Sequence, residues 1–472
     1  MKRRIKNGLG LTTIICCVLY AFFFTLSRKQ FYQLTVTYIL LFIGLACFWW
    51  LFKEFNRSYS QLVDQDETLF QKRRTAILIG TVGVLLRLMI WEVTPNLSQD
   101  FFRFIWDGHM LLNGYNPYLY IPDEIIGEAS SFIPNAQVLR AYMGDLSASH
   151  YTNYPPLNQF FFAVAAALGG KSITATVIFM RLFIILADVG TLVIMVKLLK
   201  QLGKPDYYSL LYFLNPFVLV ELTGNLHWEG VMGFFMLLAF YLLLKLKKWW
   251  SALFMGYGIL LKLMPLLILP ILLNRIKFSK IIPYYLFILI VVGIGFLPFL
   301  SIELFDKYSN SVGLWFGKFE FNASVYYLVR DVGYGLVGYN TIGKIGKILP
   351  FCTLISVLLI TYFRNNRTPV GLFTSVMFAF CLHLLFSTTV HPWYLVIPLL
   401  FSVFTKYRFM VVWSAFIFLS YYAYSNSNYQ ENLWLIAFEY VVVIGYFIYE
   451  LFYFSRNREN TTNVNKNVSL YR

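Results

Sequence analysis

Charge is the first thing this sequence is short of. Only 13% of its 472 residues are Asp, Glu, Lys or Arg, about half of the roughly 25% that a soluble globular chain carries. Acids are scarcer than bases, 23 against 39. Cysteine is scarce too. Cys16, Cys17, Cys47, Cys352 and Cys381 all fall in apolar runs and have no metal-ligand spacing, so they read as small packing residues. No apolar/polar alternation runs through the greasy segments, which excludes a membrane β-barrel. No internal repeat is visible, which weighs against an inverted-repeat transporter.

Long apolar runs take the place of charge. Hydrophobic residues make up 58% of the chain and aromatics 19%. Residues 8–27, 31–52, 74–91, 279–300, 369–389 and 433–454 approach the roughly 20 residues needed to cross a bilayer. The reading is an all-α polytopic membrane protein, since lipid leaves only helices or closed barrels with satisfied backbones. The first run has no small-residue cleavage site and is soon followed by a second, so it reads as a span. The net charge of +16 does not indicate nucleic acid. It clusters beside apolar runs, at Lys2–Lys6, Lys72–Arg74, Lys245–Lys248, Arg275–Lys280, Arg364–Arg367 and Lys406–Arg408, which is the positive-inside pattern.

That rule orients the chain. The N-terminus is inside, span 8–27 goes out, 31–52 returns, and 53–73 is a basic inner loop. Span 74–91 then delivers residues 92–156 outside. This loop holds Glu92, Asp100, Asp107, Asp123, Glu124, Glu128 and Asp145 against Arg103 and Arg140. Residues 157–170 are short for a span and read as re-entrant or interfacial. Further spans are expected near 172–196, 206–223, 226–244, 249–263, 264–274, 279–300, 343–363, 369–389, 393–404, 408–424 and 433–454, giving about 12–14 transmembrane helices in one domain, 1–454. The tail 455–472 is polar, Asn-rich and expected to be a disordered cytoplasmic segment. On this topology segments 223–230, 320–330 and 387–395 share the face that carries 92–156.

Within that loop, "SQDFFRFIWDGHMLLNGYNPY" (98–118) interrupts the grease with charge. As a helix over 98–112 it places Asp100, Arg103 and Asp107 (i, i+3, i+7) on one narrow face. Phe101, Phe102, Ile105, His109 and Leu112 fall on the other. The pattern predicts an amphipathic helix lying in the interface, with its polar face to the outer water. Asn96 or Ser98 is placed to cap it, and Asn113–Gly114 suits its end. The bland alternative is a solvated Asp100–Arg103 pair, worth at most about 1 kcal/mol.

Six motifs in order then carry a resemblance: "SQDFFRFIWDGHMLLNGYNPY", "YPPLNQFFFA", "NPFVLVELTGNLHWEG", "LLKLMPLLILP", "FNASVYYL" and "VHPWYLVIPLL". Across about residues 74–405 the chain resembles the GT-C superfamily of polyprenyl-phosphate-sugar glycosyltransferases. It is most similar to bacterial mannosyltransferase-like members and to the GPI mannosyltransferase catalytic subunit. The resemblance implies transfer of a sugar, mannose foremost, from a polyprenyl-phosphate donor to a glycan, lipid or protein acceptor hydroxyl. The setting implied is the extracytoplasmic face of a bacterial plasma membrane. A transporter or flippase for lipid-linked sugar is the competing reading.

In that superfamily the first large outer loop carries a catalytic acid, often in an acidic pair. Here Gln99 precedes Asp100, so Asp100 is the candidate general base and an ion held by an acidic pair loses support. No metal ligand is assigned, and a divalent cation is left open. The remaining candidates are substrate-binding: Arg103, Asp107, Tyr154, His227, Glu229, Lys262, Asn322, His391 and Trp393. Lys262 sits among apolar residues, where a lysine is functional by default unless it snorkels. His227 and Glu229 (i, i+2) would not share a helix face, although His391 could join them around an ion. Pro392 restricts His391 to an extended backbone. Trp393 and Tyr394 are equally explained as interface-belt aromatics. Arg181 and Asp188 read as a buried pair ordering the bundle.

Overall fold

The computed structural model describes residues 2–60, 73–317 and 319–469. Among the described residues every regular element is a helix, apart from an isolated parallel bridge between Phe321 and Thr389. The protein is an all-α polytopic membrane protein. The elements that position the site are α1 (Lys2–Phe23), α2 (Phe31–Ser60), α3 (Arg74–Leu88), α4 (Asp100–Leu112), α5 (Ala136–Met143) and α6 (Pro156–Gly169). They continue with α7 (Ile173–Gln201), α8 (Glu229–Leu244), α9 (Lys248–Leu261), α10 (Phe278–Phe296), α11 (Ile342–Phe363), α12 (Pro369–Leu385) and α13 (Leu433–Ser469).

Among the described residues six helices are long and apolar enough to cross a membrane: Arg3–Phe23, Phe31–Ser58, Ile173–Gln201, Phe278–Phe299, Ile342–Phe363 and Leu433–Arg456. A bent pair, Pro216–Gly224 with Glu229–Leu244, raises the number to seven if it counts as one span. The 12–14 expected from the apolar runs include shorter apolar helices as well as these. Pro156–Gly169, Met264–Asn274, Pro369–Leu385, Pro392–Ser402 and Phe409–Ser425 are apolar helices of 10–17 residues. Prolines open several of these pieces, where the missing N–H does no harm. The basic loop expected at 53–73 lies partly outside the described residues, at 61–72. The last helix spans Leu433–Ser469, and residues 470–472 lie outside the described residues.

Local signals set the helix starts. Ser172 Oγ accepts the Ala175 N–H at 3.2 Å to open α7, and Thr368 Oγ1 accepts the Gly371 N–H at 3.1 Å before α12. Such caps contribute about 1 kcal/mol each. The core is dense in aromatic and branched residues that interleave the helices. Phe104 of α4 stacks on Phe162 of α6 with centroids 4.6 Å apart and planes 9° from parallel. Gly108 lets these helices approach closely, because a Cβ there would sit 2.4 Å from the Phe162 carbonyl oxygen.

The buried charges pair differently from the sequence expectation. Arg181 does not pair with Asp188. Arg87 of α3 does, Nε to Oδ2 at 3.0 Å, with both side chains fully buried. Arg87 also donates Nη1 to the carbonyls of Gly83 and Phe213. Arg181 instead donates to the carbonyls of Thr223, Gly224, Trp91 and Val93 at 2.6–3.2 Å. Seven residues separate Arg181 and Asp188, so they share a face of α7 but stand two turns, about 10 Å, apart along it. The carbonyls freed where the chain breaks at Gly224 draw the guanidinium, as cations satisfy helix C-termini.

Candidate active site

Four separate stretches meet at one end of the bundle. The first is the start of α4. The helix begins at Asp100, with Ser98 Oγ accepting the Asp100 N–H at 3.3 Å. Leu97 N–H donates to Asn225 Oδ1 at 3.1 Å, tying this start to the break before α8. Gln99 Nε2 donates to the Met143 carbonyl, which fixes α5 beside it. The end of α4 turns as expected, with Gly114 at φ +80°.

The helix does not lie with its polar face in water. Arg103 is 4% exposed and Asp107 1%, because α5 and the segment to His150 fold over them. Arg103 Nε bonds Asp107 Oδ1 at 2.7 Å, and its Nη1 donates to the Ser147 and His150 carbonyls. Gln159 Nε2 donates to the other Asp107 oxygen at 3.1 Å. The i, i+4 geometry of Arg103 and Asp107 favours their own pairing over contact between Arg103 and Asp100. Both therefore pin this cover to α4, and Arg103 pairs with Asp107 rather than with Asp100.

The second stretch is the break between Pro216–Gly224 and α8, bent by 112°. Residues 219–224 form a π-helical turn, and Leu226 takes φ +63°. His227 therefore lies off the helix and Glu229 opens it, so the i, i+2 objection to their acting together does not apply. π-turns of this kind frequently mark functional positions. Lys262, the third contribution, ends α9 in an extended conformation (φ −151°, ψ 146°). Asn158 donates its amide to the Leu261 carbonyl released there. The Lys262 ammonium bonds the Glu229 carboxylate, which is 1% exposed. It also lies 5.4 Å from the centre of the Tyr394 ring.

The fourth stretch carries His391 and Trp393. Phe321 bonds the residues on either side of Thr389 through the bridge, its N–H on Thr388 O at 3.0 Å and its carbonyl accepting from Val390 N–H at 2.8 Å. His391 is extended (φ −68°, ψ 146°), as Pro392 requires. The Trp393 ring stacks on His227 (3.7 Å, 17°) and on His391 (4.5 Å, 6°). Asn322 is not brought into this cluster. At φ +46° it turns behind Phe321, its N–H on Glu431, its amide on Glu439 and its carbonyl accepting from Tyr440.

Asp100 is half-buried, and its carboxyl is pushed up to about 6. Burial is the main cause and the Glu229 carboxylate adds to it, while Lys262 and a hydrogen bond from Tyr154 oppose it. These effects place Tyr154, Glu229 and Lys262 around Asp100. A carboxylate in such a setting is suited to taking a proton near neutral pH. Among the described residues no three His, Cys, Asp or Glu side chains are grouped to hold a metal ion.

Three contributors were not anticipated. Tyr394 faces Lys262, although its sequence context suited a membrane-belt aromatic. Glu221 accepts from Tyr421 and has Oε2 3.7 Å from His227 Nε2. Its only sequence signal was an acid inside an apolar run. Arg28 donates to Gln99 Oε1 at 3.3 Å. Its signal was a base in a link where the positive-inside rule expects few.

An all-helical membrane chain with a raised carboxyl beside buried polar side chains and a ring stack defines the class, a polytopic membrane protein with a polar cluster at one end of its bundle. Residues 19–276, more than half of the chain, match the MptA_B family, described as alpha-(1->6)-mannopyranosyltransferase, N-terminal domain, and the chain belongs to that family. It is accordingly a glycosyltransferase of a mannosyl-transferring family. The matched segment holds Asp100, Tyr154, His227, Glu229 and Lys262 and ends before His391 and Trp393. Among curated proteins none matches the chain significantly.

Proposed function

We propose that the protein moves a mannosyl residue from a polyprenyl-phosphate carrier to an acceptor hydroxyl with inversion, in a GT-C-type active site on the extracytoplasmic face of a bacterial plasma membrane. Asp100 is the general base. It takes the proton of the acceptor hydroxyl as the new O–C1 bond forms, and the bond from C1 to the phosphate oxygen breaks. The electron pair leaves with polyprenyl phosphate. A single base with no covalent nucleophile gives one displacement, hence inversion. Lys262, paired with Glu229, keeps Asp100 from rising further and holds it available as a carboxylate. His227, Trp393 and His391 form the flat face against which a pyranose lies, with Tyr154 bonding the reacting edge.

The observation that carries this reading is the half-buried Asp100, poised near pH 6 among Tyr154, Lys262 and Glu229. The test is transfer of label from polyprenyl-phosphate-[14C]mannose in proteoliposomes supplied with lipid and glycan extracts. Wild type should transfer and Asp100→Asn should not, with the variant still folded. Equal transfer by both would remove Asp100 as the base. Failure of the wild type across several polyprenyl-phosphate sugars would overturn the donor assignment.

A further inference from the structure

An outgoing lipid phosphate needs a cation, and the two cations nearest this corner in the contacts described above are already paired. Arg103 is bonded to Asp107 and Lys262 to Glu229. Arg28, in the link between α1 and α2, reaches the same corner from a distant part of the chain. Its Nη1 donates to Gln99, the residue before Asp100. Its guanidinium lies 5.7 Å from the ring centre of Tyr424 and 6.0 Å from that of Tyr429. Tyr424 is close enough to feel the charges of both Asp100 and Arg28. Among the described residues no carboxylate lies within ion-pair distance of Arg28.

The arginine thus lies against two rings and a neutral amide, and among the described residues it forms no ion pair, the acids Asp100, Glu431 and Glu221 acting on it only across the Tyr424 ring. Guanidinium forks match phosphate oxygens two at a time, and a charge fixed beforehand is what stabilises a departing anion. We propose that Arg28, framed by Gln99, Tyr424 and Tyr429, binds the phosphate of the lipid-linked donor and retains the polyprenyl monophosphate formed on transfer. This assignment rests on the donor reading above. It also accounts for a base in a link that the topology puts outside, against the positive-inside tendency.

The test compares wild type with R28Q, R28K and K29Q in proteoliposomes. It measures KM for polyprenyl-phosphate mannose, KM for the acceptor and Ki for added polyprenyl monophosphate. Inorganic phosphate and phosphatidylglycerol content are varied in parallel. R28Q should raise donor KM and product Ki by roughly ten- to a hundredfold, the loss of a charge-assisted contact, while acceptor KM stays within about twofold. R28K should fall between, and K29Q should match wild type.

Unchanged donor KM and Ki in R28Q would overturn the assignment, as would a fall in kcat alone, which would make Arg28 a support for Gln99. A response only to phosphatidylglycerol would make it a bilayer contact and also overturn the proposal. If R28Q does not fold, R28K decides, since a product Ki equal to wild type contradicts a bidentate arginine site. A wild type that does not use this donor overturns the donor reading and this inference together. A wild type that uses it beside an unaltered R28Q overturns this inference alone.

Discussion

His227 lies flat against Trp393, the ring centroids 3.7 Å apart and the planes 17° from parallel. The contact joins the break before α8 to the segment after the Phe321–Thr389 bridge, and His391 extends the stack. Offset ring contacts contribute about 0.5–1.5 kcal/mol beyond their area. Trp393→Ala is expected to lower kcat/KM by about ten- to a hundredfold, because it removes both the flat face and the support of two imidazoles. Trp393→Phe should retain a substantial part. Steady-state transfer kinetics decide it, and equal losses in the two variants would show that flatness is not what matters.

The poise of Asp100 predicts a pH profile. Its carboxyl is raised from 3.8 to about 6, so the basic form appears as pH rises through about 6. Transfer should climb over that interval and level off above it. Stability should move the opposite way. A carboxyl with a raised folded value contributes stability that is complete below its unfolded value and is lost as pH rises through about 6. Asp100→Asn should therefore abolish transfer, by about 10²–10⁴-fold. The same change should stabilise the protein at pH 7.5 by on the order of 1–2 kcal/mol, after allowance for partial exposure. A thermal melt of both proteins at pH 5 and 7.5 checks the sign, since the difference between them should shrink at the lower pH.

Lys262 and Glu229 are coupled to that profile. Replacing Lys262 with Met leaves the Glu229 charge buried without its partner, a situation that costs about 3–5 kcal/mol in buried pairs. It also removes the cation that holds the Asp100 carboxyl down. The expected result is lower stability together with a transfer profile displaced to higher pH. Lys262→Met combined with Glu229→Gln should recover much of the stability, because the uncompensated acid is gone. It should also bring the profile part of the way back, since Glu229 pushes Asp100 up. A profile that does not move in the single variant would separate Lys262 from Asp100.

Much of the candidate site was legible as polar islands in apolar runs. Asp100, His227, Glu229, Lys262 and His391 each stand where ionisable groups are costly, and the structure gathers these five with Tyr154 and Trp393. What the chain could not reveal was partnership. Arg103 and Asp107 occupy the same kind of island, yet the i, i+4 spacing pairs them with each other under α5. Asn322 looked like a site residue, but its left-handed turn aims it at Glu431 and Glu439. The sequence places a gap between spans at 224–225 and runs the second span from 226, because periodicity does not report the 112° bend that keeps residues 225–228 out of the helices. Arg28 carries only the weak signal of a base in an unexpected link, since its setting is built by Tyr424 and Tyr429 from the far end of the chain.

The same limit applies to Asp188, whose partner Arg87 lies on α3 rather than on its own helix. Their pair is fully buried, and Arg87 also lies 4.2 Å from the Phe213 ring centre. The pair joins α3 to α7, so its role is to dock these helices. Arg87→Met should destabilise the protein by about 3–5 kcal/mol, because Asp188 is left charged in an apolar setting. Arg87→Met with Asp188→Leu should lie within about 1–2 kcal/mol of wild type, since well-packed apolar replacements of buried pairs are often neutral. Folded protein from either should keep its KM for both substrates. Thermal melts in detergent alongside transfer kinetics separate these outcomes. A double variant as unstable as the single would mean that the carbonyl bonds of Arg87 to Gly83 and Phe213, rather than the ion pair, hold the two helices together.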